Sequence, residues 1–192
     1  MPTGRTQSAK PVPKPVPTDM EPAPDPDIRF GRLADLAPEE LVAHMSDPRM
    51  RDHMPLLTFE WDLAAATSFI AAKETRWRRD GLGHWAIFDG DRYVGWGGFQ
   101  KEGEEWDFGL VLKPQSFGLG ARITRQALAF ARTDERIPFV TFLLPPSRSN
   151  LGALARLGAR FIGEIDHDGA RFNKFVLDTT GHSEATGDDG GG

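Results

Sequence analysis

The residues of this 192-residue chain best suited to chemistry gather in one stretch, Leu110 to Ala131, L-V-L-K-P-Q-S-F-G-L-G-A-R-I-T-R-Q-A-L-A-F-A. An apolar strand-like run ends at Pro114, and apolar residues at Leu119, Ile123, Ala127 and Phe130 then recur at helical spacing. Gly118 and Gly120 stand between the two. Lacking a Cβ, they let a ligand approach the backbone, and a helix starting there aims unpaired N–H groups and the positive end of its dipole at the turn. That suits a phosphate. Successive N–H groups of residues 116 to 121 would form a concave anion nest, and Arg122 and Arg125 would add positive charge. The same spacing also fits an ordinary strand-to-helix connection with two permissive glycines, and both arginines fit a solvated helix face. Other chemistries are missing their residues. With no cysteine there is no disulfide framework, thiolate zinc site or cysteine nucleophile. His44, His53, His84, His167 and His182 lack metal-ligand spacing, so no metal is expected and no histidine is given a role.

The elements that must position this stretch follow from pattern. Ile28 to Leu33 reads as a strand, and Pro38-Glu39-Glu40 opens a short helix to Met45. Asp62 is placed as the N-cap of a helix to Arg79, with Leu63, Ala66, Phe69, Ile70 and Trp77 on one face. Its R-W-R-R end complements the helix dipole. Three strand-like runs follow, His84 to Phe88, Arg92 to Gln100 and Trp106 to Leu112, separated by Asp89-Gly90 and Glu102-Gly103-Glu104 as in an antiparallel meander. Gly109 marks a candidate β-bulge. After a helix of residues 119 to 134, Phe139 to Leu144 reads as a buried strand, and the strand-helix-strand crossover implies parallel pairing. A helix stopped by Gly158 and a hairpin around Asp168-Gly169 complete the chain. The class is α/β in the broad α+β sense: a mixed, mostly antiparallel central sheet of about seven strands flanked by about four helices.

Composition sets the frame. A hydrophobic content of 39% fits one globular domain, placed at residues 27–179. Residues 1–26, with eight of the fifteen prolines, and the Gly/Asp-rich residues 180–192 read as disordered tails. A net charge of -5 with scattered basic residues argues against a nucleic-acid partner. No apolar run is long enough to span a bilayer and no secretory signal is visible, so the expectation is a cytoplasmic protein without a membrane partner, as monomer or homodimer.

The order of elements, with Gln115-x-x-Gly118-x-Gly120-Ala121 and the late R-L-G-A, resembles the GNAT N-acetyltransferase superfamily, whose loop reads Q/R-x-x-G-x-G/A. The segment W-D-F-G-L-V-L-K-P-Q-S-F-G-L-G-A is similar to E-I-G-Y-W-L-x-P-x-x-W-G-x-G-Y/L-A of the ribosomal-protein alanine acetyltransferase-like branch. The resemblance covers about residues 28 to 178. It implies a GNAT fold, acetyl-CoA as cosubstrate, and transfer of acetyl to a primary amine of a small molecule or protein N-terminus. It places the pyrophosphate on Gln115, Ser116, Phe117, Gly118, Leu119, Gly120, Ala121 and Arg122, and the pantetheine arm along Leu110, Val111 and Leu112, with the N–H of Val111 or a neighbour donating to the thioester oxygen.

The resemblance puts the amine-activating carboxylate at Asp107, with Glu105 its rival; Trp106 and the other tryptophans would raise its pKa by excluding water. Where many members carry a tyrosine as leaving-group acid, this chain has Ala153; Tyr93, the only tyrosine, lies elsewhere. The branch pattern P-x-N-x-x-S falls here with its polar identities exchanged, Ser147 and Asn150. Asn150 can hydrogen-bond the sulfur or pantetheine but has no titratable proton, leaving water to protonate the thiolate; it is equally suited to cap the last helix. The resemblance assigns acceptor binding to Phe59, Glu60 and Trp61, with Trp85 and Trp96 as further candidates that also fit plain core. Two rival functions use the same residues. A dinucleotide-binding module requires G-x-G-x-x-G in an early βα unit, whereas here Ile123 follows and four strands precede the loop. A non-catalytic acyl-CoA sensor of the same fold fits the missing tyrosine, and release of free thiol from acetyl-CoA separates it from an enzyme.

Overall fold

A computed structural model of the chain describes residues 28–50, 60–146, 152–167 and 169–180. Residues 1–26 and 181–192 of the expected tails, with Phe59, Ser147 and Asn150, lie outside the described residues. In chain order the elements are β1 (Ile28–Arg32), α1 (Pro38–Met45), α2 (Leu63–Asp80), β2 (His84–Asp89), β3 (Arg92–Glu102), β4 (Glu105–Leu112), α3 (Gly120–Ala131), β5 (Phe139–Leu144), α4 (Gly152–Arg156), β6 (Arg160–His167) and β7 (Ala170–Asp178).

Local chemistry accounts for most of these boundaries. α1 starts on Pro38 with Glu39 and Glu40 in its first turn, where the helix dipole favours negative charge. The Asp62 carboxylate caps α2 by accepting from the N–H of Ala65 at 2.7 Å. The two hairpin turns of the meander are closed by Gly90 and Gly103, both at a φ of 62° that side-chain-bearing residues avoid. One expected core position is wrong: Leu63, at the start of α2, is 50% exposed.

The seven strands form one sheet in the order β1-β2-β3-β4-β5-β7-β6, antiparallel except for β4 and β5. Parallel pairing there is confined to Trp106 with Val140 and Asp107 with Thr141. Beyond it β4 continues to Leu112 along β3, and β5 continues to Leu144 along β7. Each arm is held by its own antiparallel neighbour, so the sheet forks after Asp107. The fork does not come from a bulge at Gly109, where the β3–β4 register runs unbroken through Gly98 and Gly109. The register shifts lie at Ile87/Phe88 and Phe161/Gly163 instead.

Because side chains alternate along a strand, the sheet has two distinct faces. On one, α3 packs Ile123, Ala127 and Leu128 against Trp85, Phe99, Trp106, Phe108 and Val140. On the other, α1 and α2 cover Ala86, Tyr93 and Trp96 with Leu41, Met45 and Ala66. No helix among the described residues is long and apolar enough to cross a membrane.

Candidate functional site

The fork places backbone and side chain at one point. Lys113 N–H donates to the carbonyl of Val94 on β3 at 2.8 Å. Backbone groups alternate direction along a strand, so the N–H of Val111 also faces β3, while those of Leu110 and Leu112 face the gap toward β5. The Trp106 carbonyl, of the same parity, meets the Thr141 hydroxyl on β5 at 3.3 Å, as this alternation requires. Of the donors expected at Val111 or a neighbour, that of Val111 is turned toward β3, and those of Leu110 and Leu112 are the strand-edge groups of the fork.

Asp107 sits at the apex, half-buried, with its Oδ1 3.3 Å from the Thr141 hydroxyl. Burial pushes its carboxyl up to about 6; the Thr141 hydrogen bond opposes this and the charge of Glu102 adds to it. Glu105, two residues earlier, is instead tied to Lys174 Nζ at 2.5 Å. The two rivals therefore differ in setting: Glu105 is engaged by an ion pair, while Asp107 faces the fork without one among the described residues. Trp106 lies on the α3 face, its indole N–H donating to the carbonyl of Arg136 at 2.7 Å.

After β4 the chain enters a 3-10 turn, Pro114–Leu119, that runs directly into α3. The local backbone differs from an anion nest. A nest alternates right- and left-handed residues, whereas Gly120 is helical (φ −54°, ψ −46°) and Gly118 is not among the glycines with positive φ. The amides of Ser116 and Gly120 are already bonded, to the carbonyls of Lys113 and Phe117. What the loop offers is the start of a helix and open room. A Cβ on Gly118 would meet nothing within 4 Å among the described residues, and one on Gly120 only Leu112 Cδ1 at 3.6 Å. Glycine at a helical position costs roughly 0.5–1 kcal/mol against alanine, and no packing inside the chain explains it here. Ser116 is 3% exposed and its hydroxyl has no partner, a buried polar group left unsatisfied. Gln115 and Phe117 are exposed, Leu119 and Arg122 half-buried, and Ala121 and Arg125 exposed on the first turns of α3. Open room at Gly118 and Gly120, a buried Ser116 hydroxyl without a partner among the described residues, and a strand fork with outward-facing backbone groups fit a coenzyme with a pyrophosphate and a peptide-like arm.

The α2 face carries polar groups that the spacing did not reveal. Gln100, the β3 partner of Asp107, accepts from Lys73 Nζ at 2.6 Å. That ammonium lies 5.1 Å from the ring centre of Phe69 and 5.5 Å from that of Trp96, and burial lowers its pKa to about 8. His84 is 7% exposed, its Nδ1 has no partner among the described residues, and burial holds it neutral. Trp61 and Trp96 share this face with Phe69, whereas Trp85 is on the opposite face against Phe30, Phe99 and Phe130. Trp85 is therefore a core residue, separated by the sheet from Asp107. Tyr93 is buried with its hydroxyl 3.1 Å from His44 Nδ1. Among the described residues no group of three or more His, Asp or Glu could hold a metal ion.

Residues 28–160 match the family described as the acetyltransferase (GNAT) domain. The chain belongs to the GNAT acetyltransferase family. Its fold is that of solved GNAT structures. An acetyltransferase from Agrobacterium tumefaciens str. C58 superposes with a TM-score of 0.60 at 15% identity, covering 86% of this chain and 99% of the other. RimL, a ribosomal L7/L12 alpha-N-protein acetyltransferase in complex with coenzyme A, gives 0.63 at 13% identity, covering 79% and 92%. Aminoglycoside acetyltransferase AAC(6')-Ib in complex with coenzyme A gives 0.61 at 13% identity, covering 79% and 93%. No curated protein matches the chain in sequence. Membership of this family supports acetyl transfer dependent on acetyl-CoA as the general chemistry of the GNAT chain.

Proposed function

We propose that this GNAT protein transfers the acetyl group of acetyl-CoA to a primary amine, of a small molecule or of a protein N-terminus, with Asp107 as the general base. The observation that carries the proposal is the fork. Pairing between β4 and β5 stops at Asp107 and Thr141, so a carboxylate raised to about 6 stands where backbone edges open and the glycine loop begins. When bound, acetyl-CoA supplies an activated acyl carbon. The Leu110 and Leu112 N–H groups face the gap and are positioned to hold its arm and polarise its carbonyl oxygen, a task better served by fixed dipoles than by water. Gln115 to Arg122 provide the pyrophosphate site, with the Ser116 hydroxyl and the start of α3 as donors.

Asp107 takes a proton from the acceptor ammonium or amine, directly or through water, leaving a neutral nucleophile. The Thr141 hydrogen bond orients the carboxylate. Asn150 remains the proposed partner of the sulfur or pantetheine, and the departing thiolate takes its proton from water. Trp61 and Phe59 are proposed on the acceptor side, and the resemblance to the ribosomal-protein alanine acetyltransferase-like branch supports a protein N-terminus among the acceptors.

The test is an acetyl-CoA titration followed by thiol release across a panel of amines and peptides. Saturable binding with thiol release supports the enzyme; binding with no release across the panel favours the sensor reading. Gly120→Val places branched carbons in the open room of the loop and should weaken acetyl-CoA binding at least tenfold while the melting temperature holds. Unchanged affinity would remove the loop from the site.

A further inference from the structure

On the α2 face, beside Asp107, lies a cation with no carboxylate in direct contact among the described residues; the charges of Glu102 and Asp107 act on it only from a distance. Lys73 donates to one amide oxygen, that of Gln100, and forms no ion pair with a carboxylate among the described residues. Both carboxylates that act on it are held by other partners, Asp107 by the Thr141 hydroxyl. Glu102 accepts from Arg76 at 2.8 Å and from the Gln100 amide, so its charge is engaged. Phe69 and Trp96 offer only ring faces at 5.1 and 5.5 Å, weak compensation for a half-buried ammonium. Burial without a partner is costly for a charged group and favours whatever anion can reach it.

The floor next to this cation is open. Asp107 and Gly109 point to the same face of β4, because alternate residues share a face. A Cβ on Gly109 would find the edge of His84, at 3.7 and 3.8 Å, and no other atom of the described residues within 4 Å. His84, with its unpartnered Nδ1, closes one side, and the Trp61–Phe69–Trp96 chain of edge-on aromatic contacts (5.3 and 5.0 Å) continues the wall. Gln100 and Asp107 are direct partners across β3 and β4, and neighbouring strands lie about 4.8 Å apart. The base and the Gln100-held ammonium therefore sit over adjacent strands on one face of the sheet, near enough for the charge of Asp107 to act on Lys73.

We propose that the acceptor is an amine bearing its own carboxylate, an α- or β-amino acid with an apolar or aromatic side chain, whose carboxylate is bound by Lys73 while its amino group faces Asp107. The proposal rests on the acetyltransferase reading and narrows it. The ammonium loses one proton to Asp107 and the neutral amine attacks the acyl carbon; the C–S bond breaks, the coenzyme leaves as a thiolate that is protonated by water, and the second proton lost from nitrogen as the amide forms neutralises the hydroxide left behind, while the carboxylate takes no part in the chemistry and is held by charge and hydrogen bonds alone. His84 contributes a neutral imidazole, and the aromatic wall contacts the side chain. A polycationic acceptor would instead meet the charge of Lys73 on entering.

The experiment uses the full chain with acetyl-CoA and matched pairs that differ only in the carboxylate: L-phenylalanine with 2-phenylethylamine, L-tryptophan with tryptamine, and β-alanine with ethylamine. Thiol release gives kcat/KM for each. The expected result is preference for the carboxylate-bearing member in the wild type. Lys73→Met should cut that preference on the order of 10- to 100-fold, the range for a hydrogen bond between charged groups, and Lys73→Arg should restore most of it. Acetyl-CoA affinity and melting temperature of each variant show whether the coenzyme side and the fold are intact. Equal or greater turnover of the decarboxylated members by the wild type, or a preference that survives Lys73→Met, overturns the inference and leaves the transferase standing. Thiol release with neither member of any pair, nor with the wider amine and peptide panel, overturns both.

Discussion

The two faces of the central sheet differ in kind. The α3 face is an uninterrupted apolar layer in which Phe99, Ile123, Leu128 and Val140 are each 0% exposed. The α1/α2 face contains equally large aromatic residues, Trp61, Tyr93 and Trp96, but sets among them His44, Lys73, His84, Gln100 and Asp107. Burying titratable groups costs free energy that an apolar face avoids. One face thus holds the domain together, while the other gives up stability to keep polar groups beside the fork. The fork between β4 and β5, where the coenzyme arm is proposed to enter, lies at the boundary of the two.

This contrast can be broken from either side. Phe99→Ala, on the apolar face, should cost about 3–5 kcal/mol of unfolding free energy by leaving a cavity, measured by chemical denaturation. Asp107→Asn, on the polar face, should act in the opposite direction. The folded-state pKa of Asp107 is raised from 3.8 to about 6, so its stabilising contribution is complete below the unfolded pKa and is lost as pH rises through 6. Removing the charge should therefore raise stability by up to about 3 kcal/mol at pH 8 and change it little at pH 4. A variant equally destabilised at both pH values would contradict the assignment of strain to this face. The smallest effect belongs to neither face: Asp62→Ala removes the cap of α2 and should cost about 1 kcal/mol, with acetyl-CoA affinity unchanged.

Much of the positioning framework was readable from residue order. Strand and helix limits from Ile28 to Leu112 fall within two residues of the pattern, because capping and turn chemistry at Asp62, Gly90 and Gly103 is local. The loop was found by its glycines but misjudged in conformation, since glycine permits left-handed geometry without requiring it, and Pro114 starts a 3-10 turn instead. The fork has no local mark, and the β-bulge expected at Gly109 does not form. The fork arises from which neighbours hold β4 and β5, a long-range fact that Gly109 does not record. The donor expected at Val111 or a neighbour is narrowed by strand parity, since one backbone bond, Lys113 to Val94, turns the Val111 N–H toward β3 and those of Leu110 and Leu112 toward the fork. Lys73 had no signature, because in A-A-K-E-T-R it reads as an ordinary solvated helix position. Phe69, four residues earlier on the same helix face, was the available hint that an aromatic surface lay beneath it.

The central claim, that the carboxylate at the fork activates the acceptor amine, is tested most directly by the pH dependence of kcat/KM in the wild type and in Asp107→Asn at saturating acetyl-CoA. The account predicts that wild-type kcat/KM rises about tenfold per unit below pH 6 and then loses this dependence on Asp107, with any further limb set by the amine itself near its own pKa of about 8–10. Asp107→Asn should fall by about 10²–10⁴-fold and lose the limb near 6. A variant that keeps both the rate and the limb of the wild type would contradict it.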